Sequence, residues 1–310
     1  MSFSSMEGWC ALAAEKQQSL FEVLLAEDMS DSGMSREQSL QKMTRLWRVM
    51  VETAHSYDKD MRSRSALSGG DAERYRAYKS LTDSSGSSRA LIGQFVSDVM
   101  YYALATAESN ACMRRIVAAP TAGSCGVLPA VLIPYERRYG LPEERIVEGL
   151  YVAAGVGEVI ASRASISGAE CGCQAEIGAA SAMAAGAIVY LQKGSGEQVA
   201  MAVALALKSL LGLVCDPVAG LVEVPCIKRN VLGAVNAVTA ADMALAGIES
   251  RIPADEVIDA MKAVGRMMPE ALRETAQGGL AATAYRPPHC KRGCRRDCHE
   301  GRKMKNPAPS

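Results

Sequence analysis

The stretch Gln174-Ala-Glu-Ile-Gly-Ala-Ala-Ser-Ala-Met-Ala-Ala-Gly-Ala-Ile-Val-Tyr-Leu-Gln192 holds a single charge, Glu176, and no proline. Alanine favours the helix more than any other residue. Apolar side chains fall on every face of that helix, so it has to be buried among other elements. The segment from Glu197 to Val214, interrupted by Lys208, reads the same way. Lys193, Gly194 and Gly196 separate the two, so neither is read as a membrane span. The whole chain has the same character, with 49 alanines and 16 methionines among 310 residues and only 5% aromatics. That balance favours closely packed helices and works against a β-branched, aromatic-rich sheet. The fold class predicted is all-α, with Gly/Pro-rich loops joining the helices.

Outward from this centre, Ser35-x-x-Gln38 is a capping box, followed by Leu40, Met43, Trp47 and Met50 at helical spacing. Residues 63–88, rich in Ser, Gly, Asp and Arg, predict loops around one short helix. Pro142 before Glu143 and Glu144 predicts a helix reaching about Ser162, and Pro253 opens another through Val257, Ile258, Met261 and Val264. The longest uncharged run, Ile116–Tyr135, contains Pro120, Gly123, Gly126, Pro129 and Pro134, which excludes one continuous helix. No internal repeat is evident.

Lys and Arg total 34 and balance 34 Asp and Glu, so no global field draws nucleic acid or an anionic membrane. The N-terminal segment has Glu7 and no long apolar run before Glu15, unlike a secretory signal, which predicts a cytoplasmic protein. Residues 285–310 differ from all others: eight Lys/Arg against Asp297 and Glu300 give +6, with Cys290, Cys294, Cys298 and His299 and almost no bulky apolar side chain. They predict a mobile basic tail beyond a single helical domain spanning 1–284.

Ten cysteines are too few for a disulfide scaffold of this length, so they are thiols or metal ligands. Cys215 and Cys226 bracket a loop with two prolines and a glycine, and Pro217 is expected to stop the preceding helix. On a helix, their separation of eleven residues would put them about 16 Å apart; a folded-back loop lets them converge. Cys171 and Cys173 lie where the Ala-rich helix should begin, where free amides favour thiolates. From spacing alone, these cysteines read more readily as small buried hydrophobes than as ligands.

The runs Ala118-Ala-Pro-Thr-Ala-Gly-Ser124, Ala164-Ser-Ile-Ser-Gly-Ala169, Gly172-Cys-Gln-Ala-Glu-Ile-Gly178, Cys215 through Asn230, and Leu272-Arg-Glu-Thr275 with Gly278-Gly-Leu-Ala-Ala-Thr283 add something that spacing does not. Over roughly residues 10–283 the chain resembles the α chain of bacterial iron–sulfur-dependent L-serine dehydratase. The resemblance implies a helical lyase that converts L-serine to pyruvate and ammonia in amino-acid catabolism and gluconeogenesis. It implies a 4Fe-4S cluster on Cys173, Cys215 and Cys226, with Cys173 preferred over Cys171 because it directly precedes Gln-Ala-Glu. Three thiolates leave one iron without a protein ligand, where the serine hydroxyl would bind as a leaving group. It also implies a β chain in a hetero-oligomer. Thr121, Ser124, Ser165 and Ser167 are candidates to hold the substrate carboxylate, with Arg229 and Asn230, and Lys228 beside them, adding charge; tight connections and a solvated basic turn fit those residues equally well.

No base is legible: His55 sits among charged residues and reads as surface, His289 and His299 lie in the tail, and the partner chain is an alternative source. Against the family pattern, Cys171 stands for glycine, Cys125 for Ser or Ala, and Arg163 for asparagine near the expected cluster. The tail replaces Pro-Thr-Gly; its cysteines fit zinc binding, capping of the free iron, or no role. Two rival functions fit the same residues: an L-cysteine desulfidase of the same fold, and a non-catalytic metal- or redox-sensing subunit.

Overall fold

The computed structural model describes residues 3–82, 86 and 88–285; the basic tail, with its three cysteines, lies outside the described residues apart from Tyr285. Among the described residues all regular structure is helical: α1 (Met6–Glu15), α2 (Leu20–Ser32), α3 (Arg36–His55), α4 (Asp71–Lys79), α5 (Gln94–Ala111), α6 (Val127–Tyr139), α7 (Glu143–Arg163), α8 (Gly168–Cys171), α9 (Ala179–Leu191), α10 (Gly196–Lys208), α11 (Cys226–Leu245) and α12 (Ala254–Met267). The all-α expectation holds.

Helix α9 is the axis of the molecule, touching α6, α7, α10 and α11. Its small side chains make this possible. A Cβ on Gly186 would come within 3.2 Å of Val156 on α7 and 3.5 Å of Val199 and Val203 on α10. Backbones approach closely there, and the buried alanines fill the space left at near-crystalline density. The stretch Gln174–Leu191 has the length and apolarity of a membrane span, yet 89% of it is buried inside the protein, as befits a core helix. One hydrophobic cluster runs from Phe3 and Trp9 through α9 to Met261.

Several boundaries match the expected ones. Ser35 and Gln38 form the reciprocal capping box of α3, and α4 is the single helix among the described residues of 63–88. Pro142 and Pro253 sit one residue earlier than predicted, as extended N-caps (ψ 154° and 152°), where a missing N–H also costs nothing. The uncharged run breaks at Pro120–Gly126 and then forms α6, with Pro134 inside it.

Two differences bear on the site. The stretch from Gln174 opens not as α-helix but as a π turn, Gln174–Gly178. Its Gln174 amide bridges Met261 O (3.0 Å) and the Gly212 N–H (2.9 Å), and such turns are frequent at functional sites. And α10 ends at Lys208, so Pro217 does not stop it. Lys208 Nζ binds Ser250 O at 2.7 Å, and Gly212 reverses the chain at φ 83°, a left-handed value that glycine adopts without strain. Leu213–Cys215 then runs extended toward residues 272–274.

Candidate functional site

Three separated segments bring Cys173, Cys215 and Cys226 to one buried centre. Cys173 precedes the π turn, and the Gln174 N–H donates to Leu213 O at 2.9 Å, which ties it to the strand-like run ending at Cys215. Cys215 is held by a short parallel bridge: its N–H donates to Leu272 O (2.9 Å) and its carbonyl accepts from Glu274 N (2.7 Å). Cys226 is the first residue of α11 and follows the cis peptide Val224–Pro225. Its position at a helix start is where the dipole favours an anionic ligand. All three are at most 9% exposed.

Asp216 and Arg229 lock these segments together. Asp216 Oδ2 accepts the Leu280 N–H at 2.7 Å, its Oδ1 lies 2.9 Å from Arg229 Nη2, and Arg229 Nη1 donates to Val214 O at 2.8 Å. Arg229 also donates toward the Cys173 thiol. The Cys215–Cys226 loop is anchored by buried Glu223, which accepts hydrogen bonds from Ser63 (2.7 Å) and Ser65 (2.9 Å).

Between the thiols lies Glu176. Thr121 Oγ1 donates to its Oε1 at 2.8 Å, and its Oε2 lies 3.9 Å from Cys215 Sγ. Two glycines keep its surroundings open: a Cβ on Gly168 would sit 2.7 Å from Oε2 and 3.1 Å from Cys215 Sγ, and one on Gly123 would sit 3.2 Å from Oε1. Burial raises the Glu176 carboxyl above its ordinary value, and Glu274 opposite raises it further.

Burial also dominates the thiols. It pushes Cys173 up to about 12 and Cys226 up to about 11, and Cys215 further still, with nearby Glu176 adding to each, Cys226 raising Cys173, and both of these raising Cys215. Without a positive group, all three stay protonated. Among the described residues, no three His, Cys, Asp or Glu side chains close around one ion. Three thiols on separate segments that sense one another's charge without converging on a point suit a polynuclear group, whose corners each take one ligand.

The other predicted residues divide. Thr121 and Ser124 stand at the centre; Ser124 is fully buried, its Oγ 3.3 Å from Ala119 O and its side chain bonded to the Thr121 backbone. Asn230 spends its amide on the chain: Nδ2 donates to Gly123 O (2.7 Å) and Cys226 O (3.0 Å), and Oδ1 accepts from Gly126 N (2.9 Å). It joins the Thr121–Ser124 loop to Cys226. Ser165 donates to Glu170 at 2.6 Å, whereas Ser167 caps no amide and adjoins Gly168 at the rim. Lys228 points away and pairs with Asp71. His55 is exposed, its Nε2 2.6 Å from Arg137.

The departures from the family pattern fall outside the centre. Arg163 reaches α12 instead, 2.7 Å from Asp259. Cys125 is a core residue whose thiol burial raises to about 12, and Cys171 packs on α12, where a Cβ on Gly265 would sit 2.6 Å from its sulfur.

The family model described as serine dehydratase alpha chain matches residues 15–281. The chain belongs to the serine dehydratase alpha chain family. A protein named probable L-serine dehydratase, alpha chain, from Bacillus subtilis is 48% identical over 281 residues, 91% of this chain and 92% of its own length. The L-serine dehydratase alpha chain of Peptoniphilus asaccharolyticus is 41% identical over 85% of this chain and 89% of its own. The L-serine dehydratase of Streptomyces coelicolor is 43% identical over 76% of this chain but only 51% of its own length.

Within this alpha chain, sequence reasoning missed Glu176, Asp216, Glu223 and Gly168 as parts of the site. One signal was available: Glu176 is the single charge in a stretch that is otherwise uncharged, and a lone carboxyl carried into a core needs a reason.

Proposed function

We propose that this chain is the catalytic subunit of an L-serine dehydratase, eliminating water from L-serine to give, after tautomerisation and hydrolysis, pyruvate and ammonia. One observation carries the proposal: Cys173, Cys215 and Cys226, remote in sequence, meet around Glu176 in a buried centre of an alpha-chain fold. When bound by those three thiolates, a 4Fe-4S cluster has one iron free of protein ligands, which supplies Lewis-acid activation of the substrate hydroxyl as a leaving group.

The chain's own residues do the rest. Ser167 offers a hydroxyl that caps no amide, the Thr121 hydroxyl is held by Glu176 and that of Ser124 by its own loop, and the Asn230 bridge holds the Pro120–Gly126 loop in register with Cys226. Arg229 keeps positive charge beside Cys173 while paired to Asp216. The low polarity of the Ala-rich surroundings excludes water and strengthens each of these interactions.

A β chain belongs to the same proposal. The alpha-chain relatives are matched almost end to end, whereas the Streptomyces enzyme has nearly half its length beyond the match. A reducing, cytoplasmic setting suits the described cysteines, all of them free thiols.

Anaerobic reconstitution with iron and sulfide, then a pyruvate assay on L-serine and L-cysteine with and without a β chain, tests the proposal. Turnover of serine above cysteine, dependent on iron, is the expected result. Zinc or no metal in an anaerobic preparation, or sulfide release from cysteine as the dominant reaction, would sink it.

A further inference from the structure

A carboxylate carried into this centre lacks a counter-ion. Glu176 forms no ion pair among the described residues, and the guanidinium nearest in charge, Arg229, is committed to Asp216 at 2.9 Å and Val214 O at 2.8 Å. Its donors are the Thr121 hydroxyl at 2.8 Å on Oε1 and, more weakly, the Cys215 thiol at 3.9 Å on Oε2. A carboxylate accepts about four hydrogen bonds, so a lone pair on each oxygen remains for a further donor. Gly123 and Gly168 hold that capacity open, since a methyl group at either position would press on Oε1 or Oε2.

The surroundings sharpen the need. Arg229 is already paired to Asp216, so a cation for the Glu176 carboxylate has to arrive with the substrate. An α-amino acid brings that cation as its ammonium group, with three donors to match the free lone pairs.

We propose that Glu176 receives the α-ammonium of the amino-acid substrate and thereby selects amino acids over hydroxy acids that lack it. The inference rests on the serine dehydratase reading. Glu176 acts as a binding and orienting residue: its carboxylate, itself held by the Thr121 hydroxyl, fixes the Cα end, and the hydroxyl end is left to face the cluster.

The test uses iron-reconstituted wild-type protein and the variants Glu176→Gln and Glu176→Asp, assayed with whatever partner chain the wild type needs. Iron and sulfide content and visible absorbance are measured first and are expected to be equal in all three. Loss of a charge-assisted pair predicts a KM for L-serine raised on the order of tenfold to a hundredfold in Glu176→Gln. The inhibition constant of 3-hydroxypropionate, which keeps the hydroxyl and carboxylate but has no ammonium, should stay unchanged. Glu176→Asp should recover part of the serine affinity. A fall in kcat with KM unchanged would assign Glu176 to proton transfer, equal weakening of serine and 3-hydroxypropionate would make its role general packing, and lost iron would make it a support of the cluster; each overturns the inference. A wild-type enzyme that turns over no serine removes the reaction itself, and the inference falls with it. A variant that fails beside an active wild type bears on Glu176 alone.

Discussion

Cys226 and Cys10 are both free thiols whose burial raises their pKa, yet only one sits where chemistry can use it. Cys10 lies on α1 and donates to Gly196 O at 3.3 Å, a packing role. Cys226→Ser and Cys215→Ser should therefore lose visible absorbance and serine turnover together, while Cys10→Ser changes neither; iron per chain and a pyruvate assay read both. The raised thiols also set a pH dependence. Their folded pKa values lie above the ordinary 9.0, at about 11 for Cys226 and about 12 for Cys173, so the metal-free fold binds protons that the unfolded chain releases. That stability is fully present below 9.0 and is lost as pH rises through about 11 to 12. Thermal unfolding of metal-free protein should show Tm falling above pH 9.0, and Cys173→Ser should flatten the fall. Iron loading has the opposite sign, because each bound thiolate has released a proton, so it strengthens as pH rises.

Among the elements, α4 shows how a helix end is satisfied by a distant residue. Gly70 offers no side-chain cap, and Glu108 on α5 accepts from Asp71 N (2.9 Å), Ala72 N (3.2 Å), Gly69 N (3.2 Å) and the Tyr57 hydroxyl (2.6 Å) instead. Glu108→Ala would leave those donors without their acceptor in a buried place. A loss on the order of 2–3 kcal/mol in urea unfolding is expected, with helix content otherwise retained; an unchanged midpoint would show that water replaces the carboxylate at no cost. The helices themselves were legible wherever apolar positions recur at helical spacing or a cap is local in sequence, as in α3 with Ser35 and Gln38. The cap of α4 and the π turn at Gln174 were not, because Glu108 and Met261, which decide them, come from elsewhere in the chain; the early end of α10 had a local sign in Gly212, four residues on, that the reading of Pro217 as the stop passed over.

For the molecule as a whole, one continuous core joins α1 to α12, and the two tryptophans report on two parts of it: Trp9 on α1, stacked on Phe3 at 5.1 Å, and Trp47 on α3, both 2% exposed or less. Far-ultraviolet circular dichroism and tryptophan fluorescence should follow coincident denaturant transitions; separated midpoints would mean that α1–α3 unfold apart from the α9 centre. The amino-acid sequence by itself determined the helical class, the buried character of the Ala-rich stretch and, through its motifs, the family and the three cysteines to consider, because propensity, periodicity and motif order are local. Only the tertiary structure decided that those three thiols share one centre, that Asn230 spends its amide on holding a loop, and that Glu176 stands among them without a counter-ion. Charge and hydrogen-bond satisfaction depend on which groups meet in space, and here they come from segments tens of residues apart along the chain.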